Sequence, residues 1–281
     1  MSASATIAYL GPAGTYSDEA AHLFAQRMGT EAHFAAKPSF NTVFDEVDRG
    51  KVDFGVVPTE NSLEGAVTST LDNFAFSSSA QIVGEQILSI HHCLLLHPDA
   101  TKADVKVVAS HAQGLAQCRR YLAAHFPNTP TTTTASTAES AQRAAEDPSV
   151  AGIGNAFAAE LYGAKIEQRD IEDHYGNQTS FALITRRGAR EALVGTRWKT
   201  SLALFLNENR AGSLNMILSE FSYAGIDLTM IQSRPTKQGL GDYMFFLDLE
   251  GRADEPAMQT ALNCLRLKLR EVKVLGCFPI D

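Results

Sequence analysis

The sequence predicts an α/β protein made of a large region with alternating strands and helices and a smaller ferredoxin-like region behind it. Short apolar runs alternate with amphipathic windows through the first two thirds of the 281 residues, which favours a mostly parallel sheet with helices on both faces. In roughly the last 80 residues the patterns follow the order β, α, β, β, α, β, which is the order of the ferredoxin-like fold.

The first region begins with a strand, a turn rich in glycine and a helix that Ser17 is expected to cap. The later strand-like runs are short and apolar, and the helix-like windows show apolar residues near helical spacing. In chain order, the sequence predicts a strand at 7–10, helices at 18–28 and 41–49, strands at 54–58, 82–87, 89–96 and 105–109, a helix that ends near 125, a helix at 135–145, a strand at 151–154, a helix at 155–162 and a strand-like run at 181–184.

The composition changes after the first region, where the polar and basic stretch 185–190 is typical of a linker. The predicted elements behind it are a strand at 201–206, a helix at 213–223, strands at 228–234 and 242–249, a helix at 255–272 and a short last strand at 274–278.

Composition and charge argue against several classes of protein. The formal net charge of −8 argues against a nucleic-acid partner, which would require a basic face. No window approaches the roughly 20 apolar residues of a membrane helix. The first residues lack the basic and apolar segments of a signal peptide, so we expect a cytoplasmic location. Cys93, Cys118, Cys264 and Cys277 are widely spaced, and we expect reduced core thiols rather than disulfides or metal ligands.

Clusters of small polar residues follow predicted strands of the first region, at 11–17, 59–62, 110–113 and 177–180. In open α/β sheets, ligands bind at the carboxyl ends of strands, where helix N-termini offer free N–H groups and a partial positive charge. Each cluster alone could be a helix cap or a turn, because Ser, Thr, Asn and Asp favour such places. Four clusters together weigh against that alternative.

The remaining motifs indicate neither a metal nor a cofactor. Gln113 and Gln117 lie one helical turn apart, so that two amides can face one pocket. His91 and His92 are neighbours in a strand, where one ring faces each way, and we expect core or surface residues rather than metal ligands. The turn at 11–14 is too short, and contains a proline, for a dinucleotide fingerprint. From the residues alone, the prediction is an anion-binding α/β cleft with a small appended domain.

Several segments resemble the prephenate dehydratase family, and they stand in the family's order: 9–17, 57–65, 110–118 and 176–179 in the first region, and 212–214 and 232–235 in the tail, which resembles the family's ACT regulatory domain. The resemblance implies conversion of prephenate to phenylpyruvate, with loss of carbon dioxide and hydroxide as the ring becomes aromatic. It implies no metal and no cofactor.

The resemblance also implies a domain plan. A catalytic domain at 1–188 would have two α/β lobes like those of periplasmic binding proteins, with the active site between them. Lobe 1 would comprise about 1–85 plus 177–188, and lobe 2 about 86–176. The ferredoxin-like (βαββαβ) ACT domain would occupy 198–281, and the chain would form a homodimer or homotetramer.

The site residues follow from the family's motifs. Thr179 matches the threonine held to assist departure of the ring hydroxyl, which we expect to occur through a hydrogen bond, because an alcohol is a weak acid. The other catalytic candidates are Asn61, Glu60, Ser110 and Gln117. The candidates for binding the substrate are Ala13, Gly14, Thr15, Ser62, His111, Gln113, Asn177, Ser180 and Phe181.

Ser180 departs from the family's pattern, which has arginine at this position. A guanidinium that could pair with a carboxylate in bidentate fashion is therefore missing. One interpretation is that the arginine is mainly structural, that strand alternation aims side chain 180 away from the ligand, or that Arg186 or Arg187 substitutes for it. The other interpretation is a changed substrate or a weaker hold on the dianion.

The tail carries the family's motifs for an interface pocket that binds L-phenylalanine. Ser213 replaces an alanine of the family's pattern and Gln232 a glutamate, whereas Asp227 stands where asparagine is frequent and could bind the effector's ammonium group. The candidates for the effector pocket are Gly212, Ser213, Leu214, Asn215, Asp227, Gln232, Ser233, Arg234 and Pro235.

Three alternatives to prephenate dehydratase remain open at this point. Arogenate dehydratase carries out the same elimination on the aminated substrate. A non-aromatising prephenate decarboxylase would keep the ring hydroxyl, which the presence of Thr179 disfavours. A sensory module would close its two lobes on an anion without chemistry.

Overall fold

The computed structural model of the chain describes residues 4–189, 193–239 and 241–280. Over these residues the first region consists of two α/β lobes, each with a sheet of its own. Its helices and strands are β1 (Ala5–Leu10), α1 (Tyr16–Met28), β2 (Ala32–Lys37), α2 (Phe40–Asp48), β3 (Phe54–Asn61), β4 (Gly65–Ala66), α3 (Thr68–Asp72), β5 (Gln81–Ser89), β6 (Cys93–Leu96), β7 (Val107–Ser110), α4 (Ala112–Gln117), α5 (Arg119–His125), β8 (Thr131–Thr133), α6 (Thr137–Glu146), β9 (Val150–Gly154), α7 (Ala156–Tyr162), β10 (Lys165–Gln168) and β11 (Gln178–Thr185).

Lobe 1 is built on the strand order β5-β11-β3-β1-β2. β1 runs parallel to β2 and β3, whereas β11 returns from the end of the region and runs antiparallel to β3 and β5. α1 buries Phe24 on one face of this sheet and α2 buries Phe44 on the other, each in a separate apolar core. β11 therefore lies inside lobe 1, although it is the last strand of the region.

Side chains of β11 alternate between these two cores, as the pleat of a strand requires. Phe181 and Leu183 pack in the core of α1. Ala182 and Ile184 pack in the core of α2, which also contains Phe246 of the C-terminal domain. That domain thus covers the face of lobe 1 opposite to α1.

Lobe 2 is built on the order β10-β6-β9-β7-β8. β7 is parallel to β8 and β9, whereas β6 is antiparallel to β9 and to β10. The chain leaves the sheet of lobe 1 after Ser89, enters the second sheet at Cys93, and returns between Gln168 and Gln178. These two crossings join the lobes, and the exact limits of the domains stay predictions.

The C-terminal domain contains β12 (Trp198–Phe205), α8 (Ser213–Tyr223), β13 (Leu228–Pro235), β14 (Tyr243–Glu250), α9 (Pro256–Lys268) and β15 (Glu271–Pro279). Its four strands are antiparallel in the order β13-β14-β12-β15. This confirms the predicted ferredoxin-like order. β15 continues the sheet onto β5 of lobe 1 through the pair Gly276 and Ile82.

Several details of the predicted elements were wrong. The strands β4, β8 and β10 were not predicted, and His91 and His92 lie between β5 and β6 rather than within one strand. α1 begins at Tyr16 and is capped by Thr15, whose hydroxyl accepts from the N–H of Asp18, so that Ser17 lies inside the helix. α9 ends at Lys268, because the residues from Glu271 onward pair with β12 instead of continuing the helix. β2 was missed, since this edge strand has no continuous apolar run.

Two further expectations concern membranes and thiols. Among the described helices, none combines the length and apolarity that crossing a membrane requires. All four cysteines are free, and Cys93 and Cys118 are buried.

Candidate active site

A cavity of about 280 Å³ lies between the two lobes. Lobe 1 contributes the carboxyl ends of β1 and β3 and the start of α1, and lobe 2 contributes the starts of α4 and α6. The hydroxyls of Thr15 and Ser136 cap α1 and α6 at the cavity wall. Helix N-termini present free N–H groups and a partial positive charge, so this cavity is suited to anions.

The cavity brings together residues from all four polar clusters. Lobe 1, the returning strand and the segment before that strand supply hydroxyl and amide groups, and lobe 2 supplies two glutamines, two histidines and two hydroxyls. The predicted site residues that line it are Thr15, Asn61, His111, Gln113, Gln117, Asn177 and Thr179.

Three predicted residues belong to turns beside the cavity. Gly14 has a φ of 85°, a conformation that glycine adopts without strain, in the turn before α1. The carbonyl of Ala13 accepts a hydrogen bond of 2.8 Å from the hydroxyl of Tyr162, which connects lobe 1 to lobe 2. The Ser62 hydroxyl accepts from the N–H of Gln178 at 2.9 Å. These residues shape the rim and do not border the cavity.

Four other predicted residues face away from the cavity. Ser110 is fully buried in lobe 2, and its hydroxyl donates to the carbonyl of Ile153 at 2.8 Å. Glu60 and Ser180 are directly opposite each other on β3 and β11. Their neighbours Asn61 and Thr179 line the cavity, and successive side chains of a strand point to opposite faces, so Glu60 and Ser180 lie on the other face. Phe181, predicted to bind the substrate, is instead buried in the core beside α1 and does not line the cavity.

Asn61 organises the lobe 1 side of the cavity. Its Nδ2 donates to Asn177 Oδ1 at 2.8 Å and to Thr179 Oγ1 at 2.9 Å. Its Oδ1 accepts from the backbone N–H groups of Leu63 and Glu64, both at 3.0 Å. These backbone donors orient the amide, so that Nδ2 faces the two side chains.

The hydroxyl of Thr179 is left with its proton available. Its oxygen accepts from Asn61, and among the hydrogen bonds of the described residues none has this hydroxyl as donor. Thr179 is 8% exposed and lines the cavity. The O–H can therefore donate to a ligand oxygen, which is the arrangement needed at a developing negative charge.

His92 was not among the predicted site residues, yet it lines the cavity and holds Gln117. Its Nε2 is 2.7 Å from Gln117 Oε1, so that the imidazole donates and the glutamine's NH₂ group is free to donate elsewhere. The backbone N–H of His92 donates to Glu172 Oε2 at 2.9 Å. Burial lowers the pKa of His92 below its usual value, so the ring is neutral at pH 7. No sequence signal separated His92 from its neighbour His91.

Gln113 connects the lobes at the rim. Its Nε2 donates to Glu64 Oε1 at 3.3 Å, across the mouth of the cavity. Within this motif Glu64, rather than the predicted Glu60, is therefore the carboxylate that contacts a residue of the cavity wall. Both residues belong to the same polar motif, but Glu60 lies within β3 and Glu64 lies in the turn that follows this strand.

The described residues that line the cavity include no Lys, Arg, Asp or Glu. Hydroxyls, amides, two histidines and helix N-termini must therefore bind an anion there.

The described residues contain one group of three side chains with metal-ligand chemistry, His91, Asp170 and Glu172, and it lies outside the cavity lining. His91 Nδ1 is 2.9 Å from Glu172 Oε1. Burial opposes ionisation of Glu172, but hydrogen bonds from His92 and His91 hold its pKa below the usual range.

The predicted effector residues lie in two segments of the C-terminal domain. Arg234 of β13 also reaches lobe 1, where Nη2 is 2.8 Å from Asp72 Oδ1 at the end of α3. β13 is the edge strand of the sheet. Gly212 precedes α8, Ser213, Leu214 and Asn215 form its first turn, Asp227 precedes β13, and Gln232, Ser233, Arg234 and Pro235 lie within β13.

A family model described as prephenate dehydratase matches residues 7–189. The chain belongs to the prephenate dehydratase family. A second model, described as ACT domain, matches residues 201–264. Both assignments confirm the resemblance predicted from the motifs.

Prephenate dehydratases are also found among the individual relatives. A protein of Neisseria gonorrhoeae, named as a bifunctional chorismate mutase/prephenate dehydratase, is 39% identical over 276 residues, which cover 98% of this chain and 74% of that protein. The crystal structure of a prephenate dehydratase from Arthrobacter aurescens in complex with L-Phe is similar at a TM-score of 0.86 and 33% identity, over 98% of this chain and 89% of that one.

A third relative has a different activity in its description. The structure of GqqA, described as a novel type of quorum quenching acylase, is similar at a TM-score of 0.85 and 28% identity, over 98% of each chain. The prephenate dehydratase fold can therefore accompany another chemistry, and the chemistry of this chain depends on the side chains of its cavity.

Proposed function

We propose that this chain is a prephenate dehydratase that converts prephenate to phenylpyruvate and is regulated by L-phenylalanine. The observation that carries the proposal is the Thr179 hydroxyl, which is hydrogen-bonded by Asn61 at 2.9 Å and keeps its own proton available at the cavity. A reaction that expels a ring hydroxyl requires such a donor where negative charge develops.

Binding of the substrate dianion is assigned to neutral donors. The N-termini of α1 and α6 and the NH₂ groups of Gln117 and Asn177 surround the cavity. Several neutral donors can hold two carboxylates when their orientation is fixed in advance, since little reorganisation is then needed on binding. His92 and Asn61 supply that orientation for Gln117 and Asn177.

The proposed elimination requires only groups that the cavity and solvent supply. The ring carboxylate leaves as carbon dioxide, and the electron pair of the broken C–C bond moves through the ring and expels hydroxide from the opposite carbon. Thr179 donates a hydrogen bond to the departing oxygen, and the hydroxide takes a proton from solvent to become water. The ring becomes aromatic. Thr179 therefore stabilises the leaving group without being deprotonated itself.

The test is an assay of the purified full-length protein with prephenate, followed by ultraviolet absorbance and mass of the product. Phenylpyruvate should accumulate in proportion to enzyme and time. Prephenate left unchanged would refute the proposal, and stoichiometric binding without turnover would identify the sensory module instead.

The same assay separates the two enzymatic alternatives. Arogenate carries an ammonium group in place of the keto oxygen, and the described cavity lining has no carboxylate to pair with it. We therefore expect a higher kcat/KM for prephenate than for arogenate. A non-aromatising decarboxylase would release carbon dioxide and give a product without an aromatic spectrum, which the available Thr179 proton disfavours.

Regulation and assembly are part of the proposal. L-Phenylalanine would bind at the segments around α8 and β13, and the ion pair of Arg234 with Asp72 would carry the effect to lobe 1. β13 has a free edge and exposes Ile231, which supports a homodimer or homotetramer formed at this edge. Light scattering with and without phenylalanine tests the size of the assembly and its response to the effector.

A cytoplasmic location remains a prediction, to be tested by cell fractionation.

A further inference from the structure

The ACT domain packs directly behind the strand that carries Thr179. Thr179 of β11 lines the cavity, and the next side chain, Ser180, lies on the other face of the strand. Ala182 follows on the same face as Ser180 and packs in a core shared with Leu275 and Phe278 of the ACT domain. A displacement of the ACT domain would therefore act first on the face of β11 that carries Ser180 and Ala182.

A polar junction connects the two domains at this place. The Ser180 hydroxyl donates to Glu85 Oε1 at 2.7 Å. Glu85 belongs to β5, directly opposite Ala182. Lys199 of the ACT domain donates to Glu85 Oε2, also at 2.7 Å. The two oxygens of one carboxylate thus hold the catalytic strand on one side and the ACT domain on the other.

The junction is screened from water. The side chain of Lys199 is 12% exposed and that of Glu85 is 14% exposed. A cavity of about 30 Å³ adjoins Glu85, Ser180 and Asp248, and such a volume admits only a water molecule or two, on the basis of about 15 Å³ each. The site is therefore too small for an effector. A carboxylate in such a place is strongly destabilised when its cation is removed, because one or two water molecules do not replace the lost charge.

We propose that Lys199 is a positioning residue for the catalytic strand. By pairing with Glu85 it fixes the position of this carboxylate, and Glu85 in turn holds Ser180 and with it the backbone that aims Thr179 at the cavity. The active site is then complete only with the ACT domain docked. This inference rests on the proposed dehydratase function, which gives Thr179 its role.

The experiment compares Lys199→Met with Lys273→Met in the full-length protein. Lys273 is a matched control, because it also extends from the ACT domain to the catalytic region, where it donates to the carbonyls of Phe74 and Ser78 away from β11. We expect Lys199→Met to lower kcat at least about tenfold, because misplacing a group that contacts the transition state costs this much or more. KM for prephenate should change little, since the lobe 2 groups that bind substrate are untouched.

A second pair of variants keeps the test decisive where Lys199→Met does not fold. Glu85→Gln retains an acceptor for Ser180 and needs no cation. The double variant Glu85→Gln/Lys199→Met should therefore keep a higher kcat than Lys199→Met alone, because it leaves no unpaired carboxylate at position 85, which is the non-additivity expected of contacting residues. Equal losses of kcat in Lys199→Met and Lys273→Met, or full additivity in the double variant, would overturn the proposal.

Hydrogen exchange gives a readout that does not depend on turnover. Lys199→Met should accelerate exchange of the backbone amides at 178–182, and Lys273→Met should not. If the wild-type protein failed to convert prephenate, the proposed function would be lost, yet the exchange of these amides would still decide whether Lys199 holds the strand. Unchanged exchange in Lys199→Met would reject the positioning role.

Discussion

Replacing Thr179 by valine is expected to separate catalysis from folding. Valine has nearly the same shape as threonine and lacks the hydroxyl, so the substitution removes the donor to the departing oxygen and leaves no cavity. Losing one donor to a developing oxyanion lowers kcat by about 10²–10³, or about 3–4 kcal/mol. We expect a loss of this size, with KM for prephenate nearly unchanged.

The cost to stability should be much smaller. Thr179→Val removes one acceptor of Asn61 Nδ2, at 2.9 Å, and Nδ2 keeps its bond of 2.8 Å to Asn177 Oδ1. A single hydrogen bond between neutral groups contributes about 1 kcal/mol. The free energy of unfolding should thus fall by about a quarter to a third of the loss in transition-state stabilisation, by the ratio of these two estimates.

The assay pairs phenylpyruvate formation at saturating prephenate with denaturant unfolding of the same preparation. Thr179→Ser is the control, because it keeps the hydroxyl and loses only a methyl group, and most of the activity should remain. A Thr179→Val enzyme within about threefold of wild-type kcat, or a serine variant as inactive as the valine variant, would refute a role for the hydroxyl in transition-state stabilisation.

Three further outcomes are expected. His92→Leu should lower kcat/KM about tenfold in steady-state kinetics, because Gln117 loses the donor that orients it. Asp248→Asn should raise the melting temperature at pH 8 and leave it nearly unchanged at pH 4. Burial raises the pKa of Asp248 from 3.8 to about 6, so wild-type stability decreases as pH rises between these values, by about 3 kcal/mol at most. Asp72→Asn should weaken inhibition by phenylalanine, measured as its half-inhibitory concentration, because the partner of Arg234 at 2.8 Å loses its negative charge.

Each of these three predictions has an outcome that would contradict it. His92→Gln can still donate to Gln117 and should retain most activity, so an equal loss in both variants would contradict the orienting role. A pH-independent effect of Asp248→Asn would show that ionisation of this carboxylate is not disfavoured in the folded protein. Inhibition of Asp72→Asn at wild-type phenylalanine concentrations would exclude this ion pair from the regulatory path.

The sequence predicted the order of elements well, because alternation of apolar runs depends on local geometry. The sequence was less successful where pairing with a distant segment decides whether an element forms or where it ends. β2 is an edge strand with little apolar periodicity, and the end of α9 is set by the pairing of Glu271 with β12. In both places a tertiary contact overrides the local pattern.

Within the candidate site, the motifs predicted where the polar clusters lie along the chain, but not which side chain of each cluster faces the cavity. Glu60 and Asn61 are adjacent in one motif, but only Asn61 lines the cavity, because successive side chains of a strand point to opposite faces. Ser110 ends β7 and is fully buried beneath the helix that follows, where its hydroxyl serves the sheet. A strand's register relative to its neighbours, which sequence alone does not supply, determines which member of a polar pair meets the ligand.

Ser180 shows what that register means for the chain's departure from the family's arginine. Side chain 180 points from β11 toward Glu85 and the ACT domain, so an arginine at this position would begin its path on the face away from the cavity. Loss of a guanidinium there does not remove a ligand from the substrate's carboxylates. It removes a positive charge that the catalytic domain could have offered to Glu85 itself, and Lys199 supplies that charge from the other side of the domain boundary. Under the positioning proposal, the catalytic strand of this chain therefore depends on docking of the ACT domain.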